Sequence, residues 1–492
     1  MKFIKLLIVG LVQGITIWPE PASFKTKNEK IKVGRLRFAY SGRSTIVKEA
    51  FLRYSDQIFS HGITGVPRVQ VYVEIEDENS ELGSKMNESY IVNMKTNEIF
   101  ISSKTQWGIL RALESLSQLF EYDAGDETYY LTLSEIQDEP RFSHRGLLID
   151  SGRHFLNVKT IKAMIDSMAY VKLNVLHWHL TEDQSFSMPS WQFPELSLNG
   201  SFSAKERYSH YDIKDIVQYA KLRGIRVIPE FDMPGHTSSW RNSHPEIFAT
   251  GCLDPDSRGA FDPAKNQTFE LISALFHHDW FYLFPDAWLH LGSDEVPTTC
   301  WNNSIDLAFM ELHNLSSFNN LFAYFVNSVV DIALQDNKKQ HIILWDEAFT
   351  SGSPDPNKTI IQIWHDDVTN SVLDAGFQVI YSPSSAWYLD HLDTNWTDRY
   401  TLNIPDSVLG GEACAWGETM DPSDIEATVW PSLAAVAERL WSPLHLTLNL
   451  TTAESRLRQF RCILLDRGVR AEPVGLAGRT APTGPGSCLY SD

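Results

Sequence analysis

The sequence predicts an irregular (β/α)8 TIM barrel preceded by a small α+β domain, and three observations predict it. Eight short apolar runs recur along residues 145–418, each ending in polar or aromatic residues. Amphipathic helical patterns sit between several of them. Upstream, the texture differs, with alternating strand-like stretches beside a single helical pattern. Buried strands alternating with helices argue for parallel βαβ units, and eight such units argue for closure.

The chain opens MKFIKLLIVGLVQG. Lys2 and Lys5 form a short basic stretch, Leu6 to Val12 an apolar core, and Gly14 a small residue at a cleavage point, so residues 1–14 read as a signal peptide. Residues 15–137 read as the α+β domain. They carry RVQVYVEIE (68–76), SYIVNMKTNEIFIS (89–102) and the helical WGILRALESLSQLF (107–120). Asp138, Glu139 and Pro140 mark the boundary, and residues 138–492 read as the barrel.

The eight runs are RGLLIDSGR (145–153), NVLHWHLTED (174–183), IRVIPEFDMPGH (225–236), WLHLGSDE (288–295), HIILWDEAF (341–349), TIIQIWHDD (359–367), FQVIYSPSSAWYLD (377–390) and VLGGEACAWGE (408–418). Helical patterns at 158–173 and 213–224, one long pattern at 306–335 and a closing one at 430–441 complete the ring. Between the fifth and sixth runs lies SGSPDPNKT, which cannot form a proper helix, so the barrel is expected to be irregular there.

Composition narrows the function. The chain has 492 residues, 43% hydrophobic and 21% charged, which suits a globular enzyme and not a disordered chain. No apolar run is long enough to span a membrane. A formal charge of −20 without a basic run argues against nucleic acid as partner. Asn-x-Ser/Thr sequons occur at Asn87, Asn199, Asn266, Asn302, Asn314, Asn357, Asn395 and Asn449, in keeping with the secretory pathway. Five cysteines in such a chain allow at most two bridges, and Cys414, in the apolar EACAW, is the candidate for a buried free thiol.

Chemistry concentrates at the ends of the runs. Asp294 and Glu295 are adjacent carboxylates closing one of them. Side chains alternate on a strand, so both serve one site only where it frays. Arg153, Glu182, Asp183, Glu230, Asp232, His236, Asp346, Glu347, Asp366, Asp390, Glu412 and Glu418 end other runs. Trp345, Trp364, Trp387 and Trp416 fall at or beside four consecutive run ends, where they would wall a pocket with flat apolar faces. Flat faces with carboxylates that grip hydroxyls describe a sugar site. No metal or cofactor is expected. His177, His179, His236 and His290 lack metal-ligand spacing, and a GxSxG elbow, a P-loop and a GxGxxG fingerprint are absent.

These residues together resemble the family-20 β-N-acetylhexosaminidases, above all the lysosomal β-hexosaminidase subunits of animals. SGRHF, HWHLTEDQSF, EFDMPGH, HLGSDE, WYLD and GGEACAWGE carry the resemblance, which extends from WPEP at 18–21 onward. It implies an exo-glycosidase that removes terminal β-linked GlcNAc or GalNAc with retention, the substrate's own acetamido group acting as nucleophile. By resemblance Glu295 is the general acid and base, Asp294 holds the acetamido N–H, and Tyr388 donates to the acetamido oxygen. Trp345, Trp364 and Trp416 would enclose the sugar, Arg153 and Glu418 would hold its hydroxyls, and His236 would support Glu295. The family has Asp where this chain has Glu182, so either Glu182 or the following Asp183 takes that part. Asp390 stands where the β-type subunit also has Asp, which implies preference for neutral sugars. The resemblance further implies Cys252–Cys300 and Cys462–Cys488 bridges, a homodimer, and a lysosomal or secreted location. The rival reading is a catalytically silent sugar-binding protein on the same barrel, against which the intact carboxylate pair stands.

Overall fold

A computed structural model describes residues 16–474 except 63, 64, 66, 253–257, 336 and 353. The expected signal peptide and Cys488 lie outside the described residues. The first unit is a seven-stranded sheet of β1 (Ser23–Val33), β2 (Arg35–Ala39), β3 (Arg68–Asp77), β4 (Tyr90–Lys95), β5 (Glu98–Thr105), β6 (Phe120–Asp123) and β7 (Thr128–Asp138). The order is β1-β7-β4-β5-β3-β2, with β6 also on β7. Alternation in the sequence becomes alternation in burial: β4 reads buried, exposed, buried along its whole length. The buried face packs on helices Thr45–Ile58 and Gln106–Ser117. Ser44 and Thr105 cap these helices through their side-chain oxygens.

The second unit is a closed parallel barrel of β8 (His144–Asp150), β9 (Val175–His179), β10 (Arg226–Glu230), β11 (Trp288–His290), β12 (His341–Trp345), β13 (Thr359–Ile363), β14 (Gln378–Tyr381) and β15 (Gly410–Ala415). One strand lies in each of the eight apolar runs. Helices Val158–Tyr170, His210–Lys221 and Ser432–Trp441 form part of the outer ring. Among the described residues between β12 and β13, the helix is a single turn, Glu347–Thr350. Val175, Ile228, Trp288, Ile343, Ile360 and Ile380 form one apolar cluster, contributed by six different strands.

One expectation needs correction. The long helical pattern at 306–335 is two helices, Ser304–Leu312 and Phe318–Leu334. The break falls at Asn314, whose backbone is left-handed, and Ser317 caps the second helix. The first sheet runs through Asp138, and Trp18 and Glu20 pack on the barrel's helices. Trp18 stacks on Phe460, and the Glu20 amide donates to Glu438.

The two units meet across buried charge. Glu88 accepts from Arg111 at 2.8 Å, from Arg145 of β8 at 2.7 Å and from Asn174 at 3.2 Å. Beside it, Lys172 donates to Asp138 and to Tyr90, both at 2.9 Å. Burial works against the Glu88 charge, but the two guanidinium groups hold its carboxyl below the usual range. Glu88→Ala would leave two buried guanidinium groups facing each other. The expected loss is about 3–5 kcal/mol, read as a lower denaturant midpoint. A loss below about 1 kcal/mol would show that solvent replaces the carboxylate.

Candidate active site

The site forms where β11 stops. The strand ends at His290, and the chain then turns through left-handed backbone at Gly292 (φ 57°), Ser293 (φ 75°) and Glu295 (φ 45°). Such conformations are unfavourable for residues with a Cβ and persist only where surroundings enforce them. Asp232, just past β10, is the enforcing group: its Oδ1 accepts the Ser293 amide at 2.8 Å. A Cβ on Gly292 would lie 2.1 Å from that same oxygen, so only glycine fits. The turn breaks strand alternation and brings Asp294 and Glu295 to one mouth.

Asp232 and Asp294 face one another beside His236. Burial pushes both carboxyls up, and the charge of Asp294 pushes Asp232 further, well above the usual range. One proton held at Asp232 leaves Asp294 as the anion, the form that accepts an N–H.

Glu182 organises the other side. It lies within 2.7 Å of Arg153, 3.1 Å of His179 and 3.1 Å of His236. Glu182 is fully buried, which opposes its charge, but His179 and His236 hold its carboxyl far below the usual range. Gly152 packs directly against Glu182, since a Cβ there would fall 2.7 Å from that of Glu182. Asp183 accepts the Ser238 amide at 2.9 Å, and its carboxylate lies close to Glu182 and His236. Of the two carboxylates left open above, Glu182 reaches His236 and Arg153. His236 also lies 3.7 Å from both Asp294 and Glu295. Burial disfavours its charge, yet Glu182 and Asp294 raise its pKa to about 9. It is therefore a cation at acid and neutral pH.

An aromatic wall stands opposite. Trp345 and Trp416 pack with Leu148 and Cys414, with Trp364 and Tyr388 against them. Trp345 donates its indole N–H to Glu230 at 2.9 Å, and Trp364 donates to Glu347 at 2.9 Å. Burial and the nearby Asp294 charge push Glu347 up to about 8. Trp387 is not part of this wall; its ring is buried in the main core, donating to the Arg399 carbonyl at 3.1 Å. Tyr388 takes the position instead, and burial pushes its hydroxyl well above the usual range, so it remains a donor.

The remaining residues rim the mouth. Arg153 contacts Asp150 at 2.8 Å and Glu418 at 3.3 Å, and lies over the Trp416 ring. Burial pushes the Asp390 carboxyl up to about 6. Glu295 is 47% exposed and accepts from Arg258 at 3.0 Å. Arg258 gave no signal in sequence, because it lies in an aperiodic loop. Asp150 ends the first barrel strand, and that position was its available signal. Deeper in the lumen, His177, Glu230 and His290 have donors close enough to share an ion. They are occupied with one another: Glu230 lies 3.0 Å from His177 and 3.2 Å from His290.

Cys252 and Cys300 are joined by a disulfide, Cys462 is disulfide-bonded, and Cys414 is free and buried. Seven sequon asparagines are exposed, and Asn87 is half-buried. No helix among the described residues is long and apolar enough to cross a membrane.

Comparison with known proteins agrees with this geometry. Residues 142–405 and 397–444 match the catalytic-domain model of glycosyl hydrolase family 20, and residues 62–119 match a model described as beta-acetyl hexosaminidase like. The chain is 37% identical to beta-hexosaminidase 1 of Arabidopsis thaliana, over 96% of this chain and 94% of that protein. It is 36% identical to the beta-hexosaminidase beta subunit of Felis catus, covering 94% and 93% of the two chains. The solved chitobiase of Flavobacterium johnsoniae superposes with a TM-score of 0.81 at 27% identity, over 92% of this chain and 73% of that one. The carboxylate pair thus sits at the mouth of a barrel that relatives share along nearly its whole length, and the chain belongs to glycosyl hydrolase family 20.

Proposed function

We propose that this glycoside hydrolase removes terminal, non-reducing β-linked N-acetylhexosamine by a retaining, substrate-assisted route. The observation that carries the reading is the juxtaposition of Asp294 and Glu295 with His236 and the Trp345, Trp364, Trp416 and Tyr388 wall. The wall would hold the pyranose and its acetyl methyl group. Asp294 would accept the acetamido N–H, and Tyr388 would donate to the acetamido oxygen, aiming it at the anomeric carbon. That oxygen forms the new bond while the glycosidic bond breaks. Glu295 gives its proton to the departing oxygen, so the aglycone leaves as an alcohol and an oxazolinium ion remains. Asp294 stabilises that cation. Glu295, now a carboxylate, takes a proton from water as the water attacks the anomeric carbon. This opens the ring to the β-hemiacetal and restores the acid. The exposed sequons support passage through the secretory pathway to a lysosome or the outside.

The protein should cleave an aryl β-N-acetylglucosaminide at acid pH and leave the aryl β-glucoside intact. Glu295→Gln should lower kcat/KM on an unactivated glycoside about 10²–10⁴-fold. Equal cleavage of both aryl substrates would mean a protein nucleophile; sugar binding without cleavage of either would favour the silent sugar-binding reading.

Glu182 and Asp183 separate by their effect on His236. Glu182→Gln removes the leading hydrogen-bonded anion from His236, so its pKa falls from about 9 towards the ordinary value. Activity should then decline at lower pH on the alkaline side, whereas Asp183→Asn should leave that limb in place. A pH–rate profile of both variants decides, and equal shifts would remove Glu182 from this role.

Asp390 governs charge at the sugar's far end. Its carboxyl is raised to about 6, so it gains its charge as pH climbs through that value. Discrimination against a 6-sulfated N-acetylglucosaminide should therefore grow between about pH 5 and 7, and Asp390→Asn should flatten it. A wild-type sulfated-to-plain kcat/KM ratio that does not change with pH would refute this.

A further inference from the structure

Trp364 is the least enclosed tryptophan of the aromatic wall. Trp345 and Trp416 are buried, whereas Trp364 is half-buried and packs against them from outside. Asp346 fixes its backbone by accepting the amides of Trp364 and His365, both at 2.9 Å. The ring itself is less constrained. It lies 3.6 Å from the His365 ring and 6.5 Å from that of Tyr388, centroid to centroid. An indole has one N–H, and this one goes to Glu347 Oε2 at 2.9 Å. The bond joins two neighbouring strand ends: Glu347 opens the single turn after β12, and Trp364 follows β13.

Glu347 has no part in the chemistry above. With its carboxyl raised to about 8, it is neutral at acid pH. It therefore receives the indole N–H without setting a second anion beside Asp294. The wall has to hold the acetyl methyl group while the acetamido oxygen reaches the anomeric carbon. Flat walls at a fixed spacing admit one acyl length and clash with longer ones. A ring free to turn about its side-chain torsions would hold acetyl less firmly and would let longer acyl chains in.

We propose that Glu347 is a positioning residue that sets N-acyl selectivity: by holding the Trp364 indole, it fixes the outer wall of the pocket to the size of an acetyl group. This rests on the reading of the aromatic wall as the acetamido pocket. The residue acts through Trp364 and from the neighbouring strand end, so the wall keeps its shape although its outermost ring is only half-buried.

The test compares aryl β-glycosides of N-acetylglucosamine and N-butyrylglucosamine at acid pH. Wild-type kcat/KM should favour the acetyl substrate. Glu347→Leu removes the acceptor and should lower the acetyl-to-butyryl ratio about fivefold, the size of one lost hydrogen bond. Glu347→Gln keeps a neutral carbonyl acceptor and should retain the wild-type ratio. Trp364→Phe keeps a ring that cannot donate and should lose at least as much, and adding Glu347→Leu to it should lose nothing more. A wild-type ratio in Glu347→Leu overturns the assignment. So does the same loss in Glu347→Gln, or losses that add in the double variant. Should Glu347→Leu fail to fold, a wild-type ratio in Trp364→Phe overturns it instead. Equal wild-type cleavage of the two substrates overturns acyl selection alone, whereas wild-type failure on the acetyl glycoside overturns the proposed function itself.

Discussion

Three carboxylates taken out of water inside the barrel are the constraint on which the site depends. Glu412, Glu230 and Glu182 lie in one column with His177, His179 and His236. His177 contacts Glu412 at 2.9 Å and Glu230 at 3.0 Å, His179 contacts Glu230 at 2.6 Å and Glu182 at 3.1 Å, and His236 closes the line. A buried carboxylate without a counter-charge would take up a proton or unfold its surroundings. Here each imidazole meets carboxylates from both sides. Burial opposes the charge of His177, but Glu412 and Glu230 raise it to about 9, and His179 is raised further. His144 and His290, at the flanks, are pushed down by burial. Carboxylates and imidazoles thus alternate along the buried lumen, with Arg153 a further counter-charge on Glu182. These contacts orient the rings and present His236 to Asp294 and Glu295.

The turn after β11 uses a different means to the same end. A regular strand would point Asp294 and Glu295 to opposite faces. The left-handed backbone at Gly292, Ser293 and Glu295 removes that alternation, and Asp232 holds the turn by accepting the Ser293 amide. The same carboxyl group that fixes the backbone also leaves Asp294 ionised. Folding strain and acid–base chemistry thus meet in a single residue.

The apolar runs made the barrel legible in sequence because eight buried strands with polar ends have few other uses. The Asp294–Glu295 pair, Arg153 and the tryptophans were legible as types at strand ends. Their pairings were not, since hydrogen bonds between strands leave no periodic trace. Trp387 and Tyr388 differ by one residue, and only the backbone shows which of them turns to the pocket. The helix break at Asn314 was missed because the apolar spacing runs on through it. Glu182 and Asp183 are adjacent in sequence, and only the folded chain shows which partners each carboxylate meets. Arg258 lies in a loop without pattern, where chemistry appears only once the fold has closed around it.

Trp18 sits between Tyr400 and Phe460, and Thr16 donates to Gln459 across 443 positions of sequence. That separation is also an interval of time. A ribosome adding about 5–20 residues per second makes Gln459 roughly 20–90 s after Thr16. Until Tyr400, Ala434 and Phe460 have been made, the indole lacks the partners it has in the folded chain. The enzyme is therefore completed from its two ends at once, late in synthesis. Its exposure to misassembly is set by the length of chain between Trp18 and Phe460 more than by the strength of their contact.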